Sequence, residues 1–203
     1  VACEKGHLKV IEMLLAVDAI QVNQADDNEW TPLYVACEEA HSQVVKKLLA
    51  MDDIQVNQAS NEEATPLLVA CEKGQFKVVK MLLAVGDIQA NQADDKECTP
   101  LYVACEKGHL KVVEMLLEVD GIQVNQPDNE GTPPLWISCE EGHSKVVEML
   151  LAVDGIQVYK ADNEETTPLF IACQEGHSKV VKMLLAADGI QVNQADDEET
   201  TPL

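Results

Sequence analysis

The sequence predicts an all-α solenoid: helix-turn-helix units stacked on one another and joined by short, extended, β-hairpin-like fingers. Two observations predict it. Prolines at 32, 66, 100, 134, 168 and 202 recur every 34 residues without a slip, and a fixed period of this size marks a stacked-repeat architecture. Aromatic residues make up only 3% of a chain that is 46% hydrophobic, which is low for a single compact core with large anchors.

Within each period the elements follow one order. Thr31-Pro32 joins a good helix N-cap to the residue best suited to the first helical position, and Leu33-Tyr34-Val35-Ala36-Cys37 continues that helix. It ends near a residue fit for the left-handed conformation: Gly6, Gly74, Gly108, Gly142 and Gly176, with Ala40 the exception. A second helix carries apolar pairs such as Val44-Val45 with Leu48-Leu49, or Val112-Val113 with Leu116-Leu117, whose spacing makes one buried stripe. Ile122-Gln123-Val124 then alternates as an extended segment, and a polar turn such as Gln24-Ala25-Asp26-Asp27-Asn28 completes the finger. One unit cannot bury its own stripe, so the units must stack.

These residues resemble the ankyrin repeat over essentially the whole chain. The family's T-P-L-H-x-A pattern stands here as Thr-Pro-Leu-Tyr-Val-Ala at 31–36 and 99–104. Its G-H pair is Gly6-His7, Gly108-His109, Gly142-His143 and Gly176-His177, and its V-N pair is Val22-Asn23, Val56-Asn57, Val124-Asn125 and Val192-Asn193. The tetratricopeptide repeat has the same period but lacks the Thr-Pro-Leu start and the alternating finger. The resemblance implies an ankyrin-repeat solenoid that binds another protein and needs no cofactor. A single array over 1–203 is expected, with units 1–30 (partial), 31–64, 65–98, 99–132, 133–166 and 167–200, and 201–203 opening a further unit. Neither end carries a polar capping repeat, so the chain reads as a piece of a longer array and its oligomeric state stays open.

The departures from the family pattern are specific. One extra residue, as in Val119-Asp120-Gly121-Ile122-Gln123, is expected to alter the turn after the second helix without breaking the stack. The family's histidine in T-P-L-H is Tyr34, Leu68, Tyr102, Trp136 and Phe170, which replaces a polar scaffold contact by apolar stacking. The finger glycine is Glu29, Glu63, Glu97, Glu165 and Glu199, kept only as Gly131; a positive φ there strains each glutamate. Tyr159 replaces a V-N asparagine, Gln75 a G-H histidine, and Pro133 a capping threonine.

Cys and His recur four residues apart: Cys3 with His7, Cys37 with His41, Cys105 with His109, Cys139 with His143, and Cys173 with His177. Zinc takes three or four ligands at about 2.0–2.3 Å, whereas the pair in the next repeat is displaced by about 8–10 Å. No metal site is expected. The same displacement exceeds the ~7 Å Cα limit of a disulfide, so the registered cysteines are expected to be free, which suits a reducing, intracellular setting. Cys98, at a finger position, is expected to face solvent. The carboxylate pairs Asp26-Asp27, Glu62-Glu63, Asp94-Asp95, Glu164-Glu165 and Asp196-Asp197 recur at the fingers without an EF-hand pattern and read as a solvated acidic face. No phosphate-binding, dinucleotide-binding, zinc-protease or nucleophile-elbow motif is present, so no catalytic residue and no enzyme are expected.

The chain carries 36 acidic residues against 14 lysines and no arginine, a formal net charge of −22. Such a surface repels phosphate backbones and anionic membranes, and no apolar run reaches the ~18 residues of a membrane span. The resemblance places binding along the groove between finger tips and first helices. Its variable positions here are Asp27, Asn28, Trp30, Glu38 and Glu39, then Asn61, Glu62, Ala64, Glu72 and Lys73, then Asp95, Lys96, Cys98, Glu106 and Lys107. Asn129, Glu130, Thr132, Glu140 and Glu141 follow, and Asn163, Glu164, Thr166, Gln174 and Glu175 complete the set. This groove is mainly acidic, while Lys9, Lys46, Lys47, Lys77, Lys80, Lys111, Lys145, Lys179 and Lys182 fall on second helices, facing outward. A groove partner is therefore expected to be a basic protein.

Trp30 is the candidate hot spot, with cover of apolar surface inside the array as its other reading; Trp136 belongs to the stacked helix series and reads as core. The resemblance also implies that V-N asparagines can be hydroxylated by an oxygenase. Gln21, Gln55 and Gln123 stand where the pattern has an acidic residue, so a backbone-bonding role is expected instead. The alternative to a binding scaffold is a structural or elastic spacer of a larger scaffold or channel, favoured by the near-identity of Cys-Glu-Lys-Gly at 3–6, 71–74 and 105–108.

Overall fold

The computed structural model describes residues 1–203. It contains eleven α-helices and no β-strand, in two compact units, Val1–Asp95 and Lys96–Leu203. The first unit holds α1 (Leu8–Leu15), α2 (Pro32–Glu38), α3 (Ser42–Leu48), α4 (Pro66–Glu72) and α5 (Phe76–Leu83). The second holds α6 (Pro100–Glu106), α7 (Leu110–Leu117), α8 (Pro134–Glu140), α9 (Ser144–Leu151), α10 (Pro168–Gln174) and α11 (Ser178–Leu184). Inside each unit the helices form two layers. First helices pack side by side, α2 on α4 in one unit and α6 on α8 on α10 in the other. Second helices do the same, α1 on α3 on α5 and α7 on α9 on α11, and each first helix rests on the second helix of its own repeat. The partial repeat at the start contributes only turns over residues 2–6 before α1.

Threonine caps start the first helices as their sequence dictates. Thr31, Thr65, Thr99 and Thr167 accept from the backbone N–H of Tyr34, Leu68, Tyr102 and Phe170 at 3.1–3.2 Å, contacts worth about 1 kcal/mol each. Pro133 supplies no such cap to α8. The core is the layer between the helices, where Leu33, Val44, Val45, Leu48 and Leu82, and Leu101, Leu116, Leu150 and Leu184, are all but completely buried. Each contributes on the order of 1.5–3 kcal/mol, which is how two helices of seven or eight residues persist although both are too short to stand alone.

The segment after the second helix is a turn instead of an extended run. Ile122 N–H bonds the Val119 carbonyl at 3.2 Å and Gln126 N–H the Gln123 carbonyl at 3.4 Å. A three-residue alternation cannot hold a strand with no neighbouring strand to satisfy its backbone. The extra residue falls in this turn, at positive φ in Gly121, Gly155 and Gly189, and the repeats on either side stay stacked within their unit. The finger tips are hairpin-like without forming a strand: Asp128 N–H bonds the Thr132 carbonyl and Gly131 N–H the Asp128 carbonyl, both at 3.1 Å.

The finger position that is usually glycine does turn through positive φ, at 59–62° in Glu29, Glu63, Glu97, Glu165 and Glu199 and 81° in Gly131. Gly131 has a second reason to lack a side chain, since a Cβ there would meet Asn163 Oδ1 at 2.4 Å. Glu63→Gly and Glu165→Gly should each raise stability by about 0.5–1 kcal/mol, relief of left-handed strain less the added freedom of the unfolded chain. Gly131→Glu should cost at least ~2 kcal/mol because strain and overlap add. Thermal and urea unfolding of the three variants checks both signs.

Candidate functional site

The fingers are built by one side chain each. Asp26 Oδ1 accepts from the N–H of Asn28 (2.9 Å) and Trp30 (3.0 Å). Asp128 Oδ1 accepts from Glu130 (3.0 Å) and Thr132 (2.8 Å), Asp162 Oδ1 from Glu164 (3.0 Å) and Thr166 (2.8 Å), and Asp196 Oδ1 from Glu198 (3.1 Å) and Thr200 (2.7 Å). Asp26 and Asp196 are thus turn closers as well as members of the acidic face, Asp26 exposed and Asp196 half-buried, while their neighbours Asp27 and Asp197 are exposed and close no turn. The pattern of an Asp followed by backbone donors two and four residues on is the signal that a reading as paired carboxylates overlooks. Successive tips are tied by one backbone bond: Asn61 N–H to Asn28 O, Asp95 to Glu62, Asn129 to Lys96, Asn163 to Glu130 and Asp197 to Glu164, at 3.0–3.2 Å.

Two further ties run between neighbouring repeats. His41, His143 and His177 place Nε2 at 2.7–2.9 Å from the carbonyls of Glu4, Glu106 and Glu140, each 37 positions earlier. A carbonyl only accepts, so Nε2 carries the proton and the imidazole satisfies an orphan acceptor, at the end of the preceding first helix for Glu106 and Glu140 and in the opening turns for Glu4. Gln75 Nε2 does the same for the Glu38 carbonyl at 2.9 Å. The V-N asparagines clamp the following repeat with both ends of their amide: Asn23 to Asp53 O (2.7 Å) and from Gln55 N–H (2.9 Å). Asn57 holds Asp87 and Gln89, and Asn125 holds Gly155 and Gln157, in the same way. The backbone role of these residues is a clamp on the next repeat. Tyr159 is about half exposed and makes none of these bonds.

All seven cysteines are free, and no three His, Cys, Asp or Glu side chains gather into a group that could hold a metal. Burial pushes the Cys37, Cys71 and Cys139 thiols far above their ordinary value and Cys105 up to about 12, which leaves them protonated and inert. Cys98 is half-buried and not fully solvent-facing.

Among the groove positions of the first unit, Asp27, Asn28, Glu39, Asn61, Glu62, Lys73 and Asp95 are exposed, Glu38 and Glu72 half-buried, and Ala64 buried. Trp30 is half-buried and stacks on Tyr34, ring centroids 5.5 Å apart. In the second unit Lys96, Lys107, Asn129, Glu130, Glu141, Asn163, Glu164, Gln174 and Glu175 are exposed, Glu106 and Glu140 half-buried, and Thr132 and Thr166 buried. Lys107 pairs with its neighbour Glu106 at 3.1 Å. The nine lysines assigned to second helices are all exposed.

The second unit also contains a cleft of about 430 Å³ lined by Tyr102, Trp136, Ile137, Glu130, Glu140 and Asp162 among others. Trp136, read from the sequence as core, is 7% exposed, and Tyr102 likewise. The Tyr102 hydroxyl donates to Asp128 Oδ2 at 2.8 Å, and Trp136 Nε1–H donates to the Thr166 carbonyl at 2.7 Å. Burial, then the nearby carboxylates of Glu141, Glu175, Asp162 and Glu106, holds Glu140 above the ordinary carboxylate range. Asp162 is raised mainly by burial, against its backbone donors.

A family model described as "Ankyrin repeats (3 copies)" matches residues 1–60, 53–128 and 121–196. An ankyrin repeat domain from Acinetobacter baumannii AYE superposes with a TM-score of 0.82 at 26% identity, covering 91% of this chain and 94% of that one. The human ASB11 ankyrin repeat domain superposes at 0.83 with 25% identity, covering 99% of this chain and 87% of that one. No curated protein sequence matches the chain. No helix is long and apolar enough to cross a membrane.

A Cβ on Gly6, Gly108 or Gly142 would lie 2.6–2.7 Å from the ring of His41, His143 or His177. Ala40, the one non-glycine of the series, precedes the one repeat that uses Gln75 in place of histidine. Gln75→His should therefore cost about 1–3 kcal/mol in the Ala40 chain and much less with Ala40→Gly; a double-mutant cycle by urea unfolding reads the coupling. Glu140 and Asp162 bind protons more readily folded than unfolded. Their contribution is present below the ordinary carboxylate pKa and lost as pH rises through the raised one, so the melting temperature should climb as pH falls from neutral towards the ordinary carboxylate range.

Proposed function

The chain belongs to the ankyrin-repeat family, whose repeats are protein-interaction modules, and we propose that it binds a basic protein partner along its acidic finger and first-helix groove. The supporting observation is uncompensated charge. Asp27, Glu39, Glu62, Glu130, Glu141, Glu164 and Glu175 are exposed and form no ion pair, while nine of the fourteen lysines sit on the second helices and three, Lys73, Lys96 and Lys107, stand in the groove. Opposed potentials of this kind steer a complementary surface to one side. The groove positions named above are the proposed contacts. The proposal takes 1–203 as one array, because the phase of 34 runs through residues 95 and 96 unchanged. Seven free thiols suit a reducing, intracellular compartment. The rows of Cys and His are scaffold in this reading, and no catalysis is assigned to them. The spacer reading keeps one specific observation in its favour, the repeated Cys-Glu-Lys-Gly at 3–6, 71–74 and 105–108.

Affinity capture at about 50 and 500 mM salt should retain basic proteins at the lower salt and release them at the higher. The triple variant Glu62→Lys, Glu130→Lys, Glu164→Lys should retain several-fold less at low salt. Retention that ignores both salt and charge reversal would remove the groove reading and leave the spacer. Trp30→Ala should weaken capture with little change in melting temperature if Trp30 touches the partner. An equal loss of stability would assign its ring to the Tyr34 stack alone.

A further inference from the structure

The cleft of the second unit has a floor and walls of opposite character. Tyr102 and Trp136 form the floor, and both use their polar tips inside the protein, on Asp128 and on the Thr166 carbonyl. With those tips engaged, what is left of each side chain to meet the cleft is ring, and little of it, since both residues are 7% exposed. The walls carry the carboxylates of Glu130, Glu140, Asp162 and Glu164, none of them ion-paired, and no lysine lines the space. An anion would be repelled there. A neutral apolar group would cover the rings but desolvate the carboxylates without a partner. A cation with a flat apolar face satisfies both surfaces at once.

We propose that this cleft is a subsite for the guanidinium of one arginine side chain presented by the partner protein, lying over the Trp136 and Tyr102 rings with Glu140 as its nearest carboxylate. The inference rests on the groove reading above and names the side chain that the groove selects. The planar fork of arginine stacks on aromatic rings and bonds a carboxylate with two parallel N–H groups, which a lysine ammonium cannot do. The volume of about 430 Å³ lies in the range of about 300–1,000 Å³ typical of small-ligand pockets, enough for one side chain and too little for a helix. An arriving cation also relieves the mutual repulsion that Glu140 feels from its carboxylate neighbours. The floor is particular to this unit. The matching residues along the chain are Tyr34, Leu68, Tyr102, Trp136 and Phe170, so the first unit sets an aliphatic residue beside its tyrosine.

The chain itself supplies variants that its scaffold accepts. Leu68 stands at the position of Trp136, and Gln174 at that of Glu140. The full chain is titrated with N-acetyl-arginine amide, and with the uncharged citrulline analogue, while the Trp136 indole N–H and Ile137 methyl signals are followed by NMR. The arginine probe should give a saturable shift at those two groups in the millimolar range, about five-fold tighter or more than the citrulline probe, the scale of one partly desolvated cation–π contact. Glu140→Gln should weaken binding by a similar factor. Trp136→Leu, read at Ile137, should abolish discrimination between the probes, both variants keeping cooperative melting. Equal responses to the two probes, or shifts spread evenly over Asp27, Glu62 and the other fingers and unmoved by either variant, would overturn the subsite. If the two probes bind alike while the unaltered chain retains basic proteins in a salt-sensitive manner, the subsite fails and the groove reading stands. If no basic protein is retained at all, the groove reading fails and the probe titration decides the cleft alone.

Discussion

Every repeat in each unit leaves polar and apolar groups that only a neighbour can satisfy, and the stack follows from that constraint. Two helices of seven or eight residues expose a stripe of leucine and valine that the next repeat covers. Around this apolar layer run three lines of hydrogen bonds, each at a fixed sequence separation. Histidine or glutamine caps the carbonyl 37 positions earlier, asparagine clamps the loop 30 and 32 positions later, and the finger backbone bonds the tip before it. Each line serves backbone groups that would otherwise be orphaned at a helix end or in a loop. Directional bonds at three separate heights fix both the spacing and the rotation of one repeat on the next, which burial alone would leave loose.

A structure propagated by translation spreads like residues into lines and never gathers them around a point. Cys37 and Cys71 stand in register in one unit, both fully buried, and burial is the main force that raises their thiols. The same rule makes charge accumulate. An acidic finger in one repeat is followed by an acidic finger in the next, and ion pairs such as Lys47 with Glu12 offset only part of it. The array carries mutual repulsion that burial must outweigh, and the half-buried Glu140, with carboxylate neighbours on several sides, records it locally.

What the sequence made legible was whatever a single repeat decides by itself. The Thr-Pro start and the left-handed position of the glutamates depend on residues a few positions apart and are found where expected, and of the pair Leu116-Leu117 the first leucine is buried while the second is only half-buried. The Ile-Gln-Val segment was misread because three alternating residues carry too little information to separate strand from turn. Asp26 and Asp196 were read with their neighbours as one solvated face, although one member of each pair is committed to two backbone donors. The two tryptophans show the limit best. Trp30 stands out from Ala64, Cys98, Thr132 and Thr166 in its column, yet it leans on Tyr34 of the next repeat. Trp136 fits its column and so draws no attention, yet it floors the cleft with Tyr102. A column shows how a repeat differs from its relatives; a site arises where adjacent columns meet.

Departures from the repeat pattern are accordingly informative in pairs. Ala40 faces Gln75, where glycine elsewhere faces histidine, since an imidazole would lie where the alanine methyl now stands. Gly131 faces Asn163, whose amide reaches back to the Asn129 carbonyl at 3.3 Å and fills the place of a Cβ; Asn61, beneath which Glu29 keeps its side chain, makes no such reach. Tyr102 faces Asp128 and Trp136 at once. Only the first pair matches a change in one repeat with a change in the next; Asn163 and Asp128 are residues that other repeats also carry. Single-column diversity underestimates what such an array can distinguish. The repeated Cys-Glu-Lys-Gly segments limit variety on the first helices, but they leave untouched the pairings between neighbours, and it is there that this chain departs from its own pattern.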